Sequence, residues 1–468
     1  MEKHGPLTEH LSRRDFLTFL GGGTAALWLH SLVGEESPGG RKPNIIVILS
    51  DDQGYADVGF HGCKDIPTPN LDSLASSGVR FTDGHVSCPV CSPTRAGLMT
   101  GRYQQRYGHE MNPGGAPEHG LPLSQITLAN LLKAAGYATG IVGKWHLGMT
   151  PELHPQKRGF DEFFGFLSGA HSYLDPLLGT PNAILRGTEP VDEKEYLTDA
   201  FTREAISFIE RRQRHPFFLY LPYNAVHAPL QATEKYLSRF KEIPDERRRT
   251  YAAMLSAMDD GIGAVLKKLT DTGLEKDTLI FFLSDNGGPP GNGSSNAPLR
   301  AYKGTVYEGG IRVPFLLRWS ARIPAGVVYQ NPVISLDVLP TALAAAGAKL
   351  PTDRPMDGVN LLPYATSEKS DPPHDLLFWR MRENKAVRKG NWKLVVAGGT
   401  SPQLFDLSKD IGETNDLAAQ KPDVVKELSD ALAKWESQMV PPLWSPQVSP
   451  RQLRPRVMRR LRPAALRK

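Results

Sequence analysis

The stretch Asn44-Ile45-Ile46-Val47-Ile48-Leu49, closed by Ser50-Asp51-Asp52-Gln53-Gly54, decides the fold. A continuous apolar, β-branched run without polar alternation is the pattern of a strand buried on both faces, as in the parallel sheets of α/β proteins. Two carboxylates follow immediately, and the carboxyl end of such strands is where open α/β sheets bind ligands. The same design recurs in Thr278-Leu279-Ile280-Phe281-Phe282-Leu283, which ends in Ser284-Asp285-Asn286-Gly287. Either segment alone reads as a strand followed by an ordinary Asp/Asn/Gly turn. If both strands lie near the centre of one sheet, they bring four oxygen-bearing side chains to one edge, a donor set suited to calcium or magnesium. A third acidic pair, Asp259-Asp260, lies inside the helical pattern from Tyr251 to Leu269 and is assigned to capping contacts or solvent.

Working outward, Cys91-Ser92-Pro93-Thr94-Arg95 fits a helix start, with Ser92 as N-cap, Pro93 at the first helical position and Gly101 as the C-terminal stop. Cys91 is then expected just outside a helix N-terminus, where free N–H groups and the helix dipole favour an anion. Residues 69–75 open a helix, Ser124 to Ala135 form another stopped by Gly136, and Ala138 to Val142 form a strand leading to Gly143-Lys144-Trp145-His146-Leu147-Gly148. On an extended segment, Lys144 and His146 point the same way and enter one pocket. His215 to Pro222 reads as a further strand, whose exit loop carries Asn224-Ala225-Val226-His227-Ala228-Pro229.

A flexible Gly/Pro/Asn/Ser-rich loop spans 287–296, followed by Leu299-Arg300-Ala301-Tyr302-Lys303-Gly304 and Tyr307-Glu308-Gly309-Gly310-Ile311-Arg312-Val313-Pro314. Strand–helix alternation persists to about Gly347, and the Pro-rich stretch 351–373 marks a boundary. Beyond it, residues 386–388, 392–396 and 403–406 read as short antiparallel strands. Val424, Val425, Leu428, Leu432 and Trp435 share one helical face, giving a small α+β unit.

At 468 residues and a formal net charge of +5, the chain can bury a large core. The excess charge is concentrated in Arg451, Arg454, Arg456, Arg459, Arg460, Arg462, Arg467 and Lys468. The remainder is near neutral, which argues against a nucleic-acid partner and leaves a basic tail at 446–468. Ser12-Arg13-Arg14-Asp15-Phe16-Leu17, then a Gly-rich, weakly apolar stretch to Val33, have the order of a bacterial twin-arginine signal. Residues 1–40 are therefore set aside as export signal and linker, an uncleaved anchor being the alternative, and the expectation is a periplasmic or extracellular protein whose mature chain has no stable membrane insertion. Three cysteines, Cys63, Cys88 and Cys91, are too few for a disulfide scaffold, and Cys88-Pro89-Val90-Cys91 lacks the partner motif of a zinc or redox site.

In collinear order, Asp51 to Gly54, Cys91 to Arg95, Gly143 to Gly148, His227-Ala228-Pro229, Asp285-Asn286-Gly287, Lys303-Gly304 and Glu308 to Pro314 resemble the motifs of type I sulfatases of the alkaline phosphatase superfamily. The resemblance implies an α/β fold: a large domain (41–370) with a central, mostly parallel sheet between helices, plus a C-terminal antiparallel sheet and helix (371–445). It further implies that Cys91 is oxidised to formylglycine by a maturation enzyme. Asp51, Asp52, Asp285 and Asn286, with residue 91, would hold one Ca2+, Mg2+ being the less suited ion. Arg95 and Lys144 would steady the aldehyde hydrate, Lys303 and His227 would grip the sulfate and its bridging oxygen, and His146 would be the base.

A serine contact usual in the family has two candidates here, Ser168 and Ser172. The segment 158–174 resembles bacterial polysaccharide sulfatases, so a sulfated glycan or aryl sulfate is the expected substrate. The competing readings are a phosphomonoester or phosphonate ester hydrolase of the same superfamily, and a secreted glycan-binding relative without activity.

Overall fold

The computed structural model describes residues 42–114, 116 and 118–444. The segment read as an export signal and the basic tail lie outside the described residues. Among those residues, no helix is long and apolar enough to cross a membrane.

Ten strands form one sheet in the order Val327–Tyr329, Val79–Phe81, Phe315–Arg318, Thr278–Ser284, Asn44–Ser50, Phe217–Pro222, Ala138–Lys144, Glu162–Phe166, Leu185–Arg186 and Glu189–Pro190. The five from Thr278–Ser284 to Glu162–Phe166 run parallel. Both outer flanks turn antiparallel, at Phe315–Arg318 and at Leu185–Arg186. The central strand alternates between two apolar layers: Ile45, Val47 and Leu49 enter one, Ile46 and Ile48 the other. Its neighbour does the same, with Leu279, Phe281 and Leu283 on the first face and Ile280 and Phe282 on the second. Both faces being covered is why the sequence shows an unbroken apolar run. Each such side chain removed from water stabilises the fold by about 1.5–3 kcal/mol.

The first face is covered by Cys91–Thr100, Leu128–Ala134 and Val338–Ala345; the second by Pro69–Ser76, Leu197–Arg212 and Glu246–Asp271. The helix expected over 124–135 is shorter because Thr127 and Asn130 form a capping box that sets its start. Asp259 does cap, but across helices: it accepts from Asn70 N (3.1 Å) and Leu71 N (2.8 Å) at the start of Pro69–Ser76. Asp260 instead pairs with Arg239.

Leu376–Met381, Asn384–Lys389, Trp392–Val396 and Gln403–Asp406 form the C-terminal antiparallel sheet, and Pro422–Glu436 is its helix. The first of these strands escaped the sequence reading. It follows the Pro-rich stretch directly and carries an arginine, Arg380, whose partner Glu110 is distant in sequence. This sheet shares the first face's core: Leu377, Trp379, Val387 and Leu394 belong to the cluster that contains Val86 and Leu336, and Trp379 Nε1 donates to Val86 O at 2.7 Å.

Candidate active site

Register places the two acidic turns side by side. Ser50 pairs with Ser284 in the parallel ladder, so Asp51 and Asp285 emerge from adjacent strands at one level. Lys144 ends the strand beyond Phe217–Pro222 and reaches back, its Nζ 2.5 Å from Asp51 Oδ2. All three side chains are fully buried.

Cys91 is the first residue of its helix, two positions further in than expected, with extended Val90 before it and Gly101 (φ 64°) after it. Ser92 is not the cap. Its hydroxyl is bonded to His146 O (2.6 Å) and His109 Nε2 (2.7 Å), while Asn112 Oδ1 accepts from Ser92 N (3.0 Å). The tertiary fold has claimed the local capping group. Cys91 Sγ lies 3.5 Å from Asp51 Oδ1 and 3.3 Å from Lys303 Nζ. Burial pushes the thiol up, with Asp285 and Asp51 adding to the effect.

Arg95, one helical turn on, lies between carboxylates: Nε donates to Asp285 Oδ2 at 2.9 Å, Nη2 is 3.5 Å from Asp51 Oδ2, and Nη1 donates to Lys144 O at 3.0 Å. Lys303 Nζ is 2.5 Å from Asp52 Oδ1. Burial alone would lower this ammonium, but Cys91, Asp52 and Asp51 hold it well above the ordinary lysine range. For Asp51, burial would raise the carboxyl, and Lys144, His227 and Arg95 together bring it below its usual value. Asn286 Nδ2 donates to Asp52 Oδ1 (2.7 Å) and Gly287 O (3.0 Å), leaving its buried Oδ1 without a hydrogen-bond partner.

His146 also reaches the site, although not along an extended segment. It takes a left-handed backbone (φ 58°), and a Cβ on Gly169 would lie 2.6 Å from its Nε2, so only glycine lets that chain pass. Burial, then Lys144 and Arg95, depress its imidazole well below the usual range, and its Nδ1 is buried and unpartnered. His227 Nδ1 is bonded to Ala228 O (2.6 Å) and Nε2 lies 3.6 Å from Asp52 Oδ2. The hydrogen bonds of the two serine candidates go elsewhere: Ser168 bonds Ala170 O and Asn182, and Ser172 bonds Gln231.

Sequence reasoning missed His109, Asn112 and Tyr173, whose hydroxyl is bonded to the carbonyls of Asn224 (2.5 Å) and His227 (2.8 Å) and so fixes that loop. Lone polar residues outside any motif gave no signal for them.

Asp51, Asp52, Cys91 and His227 offer ligand-type atoms that all lie within 4.8 Å of one another. Asp83, His85 and Glu308 form a second such group, but there Arg312, Arg388 and Lys393 already occupy the carboxylates. That cluster is a buried ion-pair network, not a metal site. Cys63, Cys88 and Cys91 are all free thiols.

The chain matches the sulfatase family over residues 43–348 and the family described as N-sulphoglucosamine sulphohydrolase, C-terminal, over 301–438. It is 36% identical to N-acetylgalactosamine-6-sulfatase of Mus musculus, covering 75% of this chain and 72% of that one. It is 33% identical to arylsulfatase A of Homo sapiens, covering 83% and 86%. Its fold is similar to the crystal structure of Ps i-CgsB in complex with k-i-k-neocarrahexaose, with TM-score 0.83, 40% identity and coverage of 86% and 95%. With this fold, these motifs and these relatives, the chain belongs to the sulfatase family of the alkaline phosphatase superfamily and is a sulfuric ester hydrolase.

Proposed function

We propose that this enzyme removes sulfate from a sulfated carbohydrate, with residue 91 converted from cysteine to formylglycine and one Ca2+ held by Asp51, Asp52, Asp285, Asn286 and residue 91. The observation that carries this reading is the packing of Cys91 against Asp51 and Lys303 at the edge where the Asp51 and Asp285 strands end. The donor set fits the ion: three carboxylates and one orphaned amide oxygen are hard ligands, which suit calcium.

Charge supports the same reading. Asp51, Asp52 and Asp285 are balanced by Arg95, Lys144 and Lys303, so a divalent cation makes the pocket positive and draws in an anionic ester. When bound, the ion supplies Lewis-acid stabilisation of oxygen charge at sulfur.

The hydrated aldehyde offers two hydroxyls, one to attack sulfur and one to expel the sulfate afterwards. His146, neutral and with a free Nδ1, takes the proton from residue 91. Lys303 holds a sulfate oxygen, and His227 delivers the proton that the leaving alcohol requires. Arg95 and Lys144 fix the carboxylates in place. Cys91 is 1% exposed, so its maturation enzyme has to reach it before the fold closes, in a chain that we take to be exported afterwards.

The carbohydrate reading is supported by the relatives, one named N-acetylgalactosamine-6-sulfatase and one solved with k-i-k-neocarrahexaose. Sulfate release from a panel of sulfated sugars, with hydrazide trapping of an aldehyde at residue 91, tests both halves. Faster turnover of a matched aryl phosphate than of the aryl sulfate would return the phosphoesterase reading. No aldehyde and no turnover in a matured sample would favour the inactive binder.

A further inference from the structure

A cavity of about 440 Å³ is lined by Val90, Asn112 and Gly304, together with Met111, Met381 and Arg382. Val90 precedes Cys91, Gly304 follows Lys303, and Asn112 holds the N–H of Ser92. The far wall comes from the C-terminal sheet, where Arg382 and Glu383 form the two-residue turn joining Leu376–Met381 to Asn384–Lys389.

Arg382 has φ 59°, a conformation that favours glycine in such turns. It is exposed. Its neighbours are committed to structure, Arg380 to Glu110 and Arg388 to Asp83. Arg382 has no ion pair, hydrogen bond or ring contact among the described residues. A turn selected for folding alone would carry glycine here. What an arginine adds is a planar, bidentate cation at the mouth of a cavity beside the sulfate site. Val90 is half-buried and offers apolar surface to the C–H face of a sugar, with the buried Met111 and Met381 packed behind it, and the volume lies within the range of small-ligand sites.

We propose that Arg382 is a specificity residue that reads an oxyanion, a second sulfate ester or a uronate carboxylate, on the sugar unit adjoining the one that loses its sulfate. The assignment rests on the carbohydrate sulfatase reading above. Arg382→Gly suits the turn and keeps the fold, and Arg382→Glu reverses the charge. Both are compared with the wild type on N-acetylgalactosamine 6-sulfate, on chondroitin 6-sulfate oligosaccharides, whose neighbouring unit carries a carboxylate, and on ι-carrageenan oligosaccharides, whose neighbouring unit carries a sulfate.

The expected result is a KM raised roughly 5- to 20-fold by Arg382→Gly on the oligosaccharide that the wild type cleaves, and raised further by Arg382→Glu, with kcat and the melting temperature unchanged. Which oligosaccharide responds identifies the oxyanion. An unchanged KM, an equal loss on the monosaccharide, or a wild type that cleaves only the monosaccharide overturns the assignment while leaving the enzyme a carbohydrate sulfatase. A wild type that releases sulfate from none of the three overturns the substrate reading and the assignment with it.

Discussion

Asn286 Nδ2 donates to Asp52 Oδ1 at 2.7 Å, and this bond turns the amide oxygen of Asn286 inward, buried and without a donor of its own. A buried acceptor left unpaired costs about 1–3 kcal/mol unless something positive meets it. The structure thus prepares one neutral oxygen beside three carboxylates. Calcium at 100 times its Kd should add about 2.7 kcal/mol to stability, seen as a higher melting temperature than in chelator. Asn286→Ala should lose most of that calcium-dependent shift. An equal shift in the variant would remove Asn286 from the ligand set.

Lys303 sits between Asp52 and Cys91. Lys303→Ala should lower turnover by at least ~100-fold, the scale of losing one electrostatic stabiliser. It should also destabilise the calcium-free protein more than the calcium-loaded one, because Asp52 loses its cation. Turnover within a factor of two of the wild type would take Lys303 out of the site.

Residue 91 can be tested in a host whose maturation enzyme accepts only cysteine. In Cys91→Ser a single hydroxyl remains to attack sulfur, with no second hydroxyl to expel the product. Turnover should collapse while a sulfate ester accumulates on the peptide containing residue 91, read by mass spectrometry after incubation with substrate. Sustained turnover without an aldehyde would reinstate a serine-type phosphatase mechanism.

A pH dependence follows from His374, which is bonded to both oxygens of Asp337 at 2.8 and 3.0 Å. Burial alone would lower this imidazole, but Asp337, with a smaller contribution from Asp357, holds it above the ordinary histidine range. A group whose folded pKa is raised stabilises fully below its unfolded pKa and loses that contribution as pH rises through the folded value. His374→Gln should therefore cost more stability at pH ~5.5 than at pH ~8.5, measured as urea midpoints. The opposite trend would show that the pair is not charged in the native state.

The alternation of Ile45, Val47 and Leu49 against Ile46 and Ile48 is a property of the chain itself, so the doubly covered parallel strand was legible before any coordinates. So was the position of Asp51, Asp52, Asp285 and Asn286 at strand ends, because a strand's exit is a local feature. The helix face of Leu428, Leu432 and Trp435 was equally plain, and the structure buries all three.

Contacts between segments distant in sequence were decided only on folding. Ser92 had the chemistry of an N-cap, but His109 and the His146 carbonyl offered its hydroxyl stronger partners once the helix docked. His146 was expected on an extended segment and enters the site through a left-handed turn that Gly169 leaves room for. Sequence determined which residue types stand at the ends of which elements, since hydrophobic period and turn chemistry act over a few residues. Register determined the rest: Ser50 opposite Ser284 is what sets Asp51 beside Asp285, and that pairing is a bond between strands more than two hundred residues apart, which no local pattern encodes.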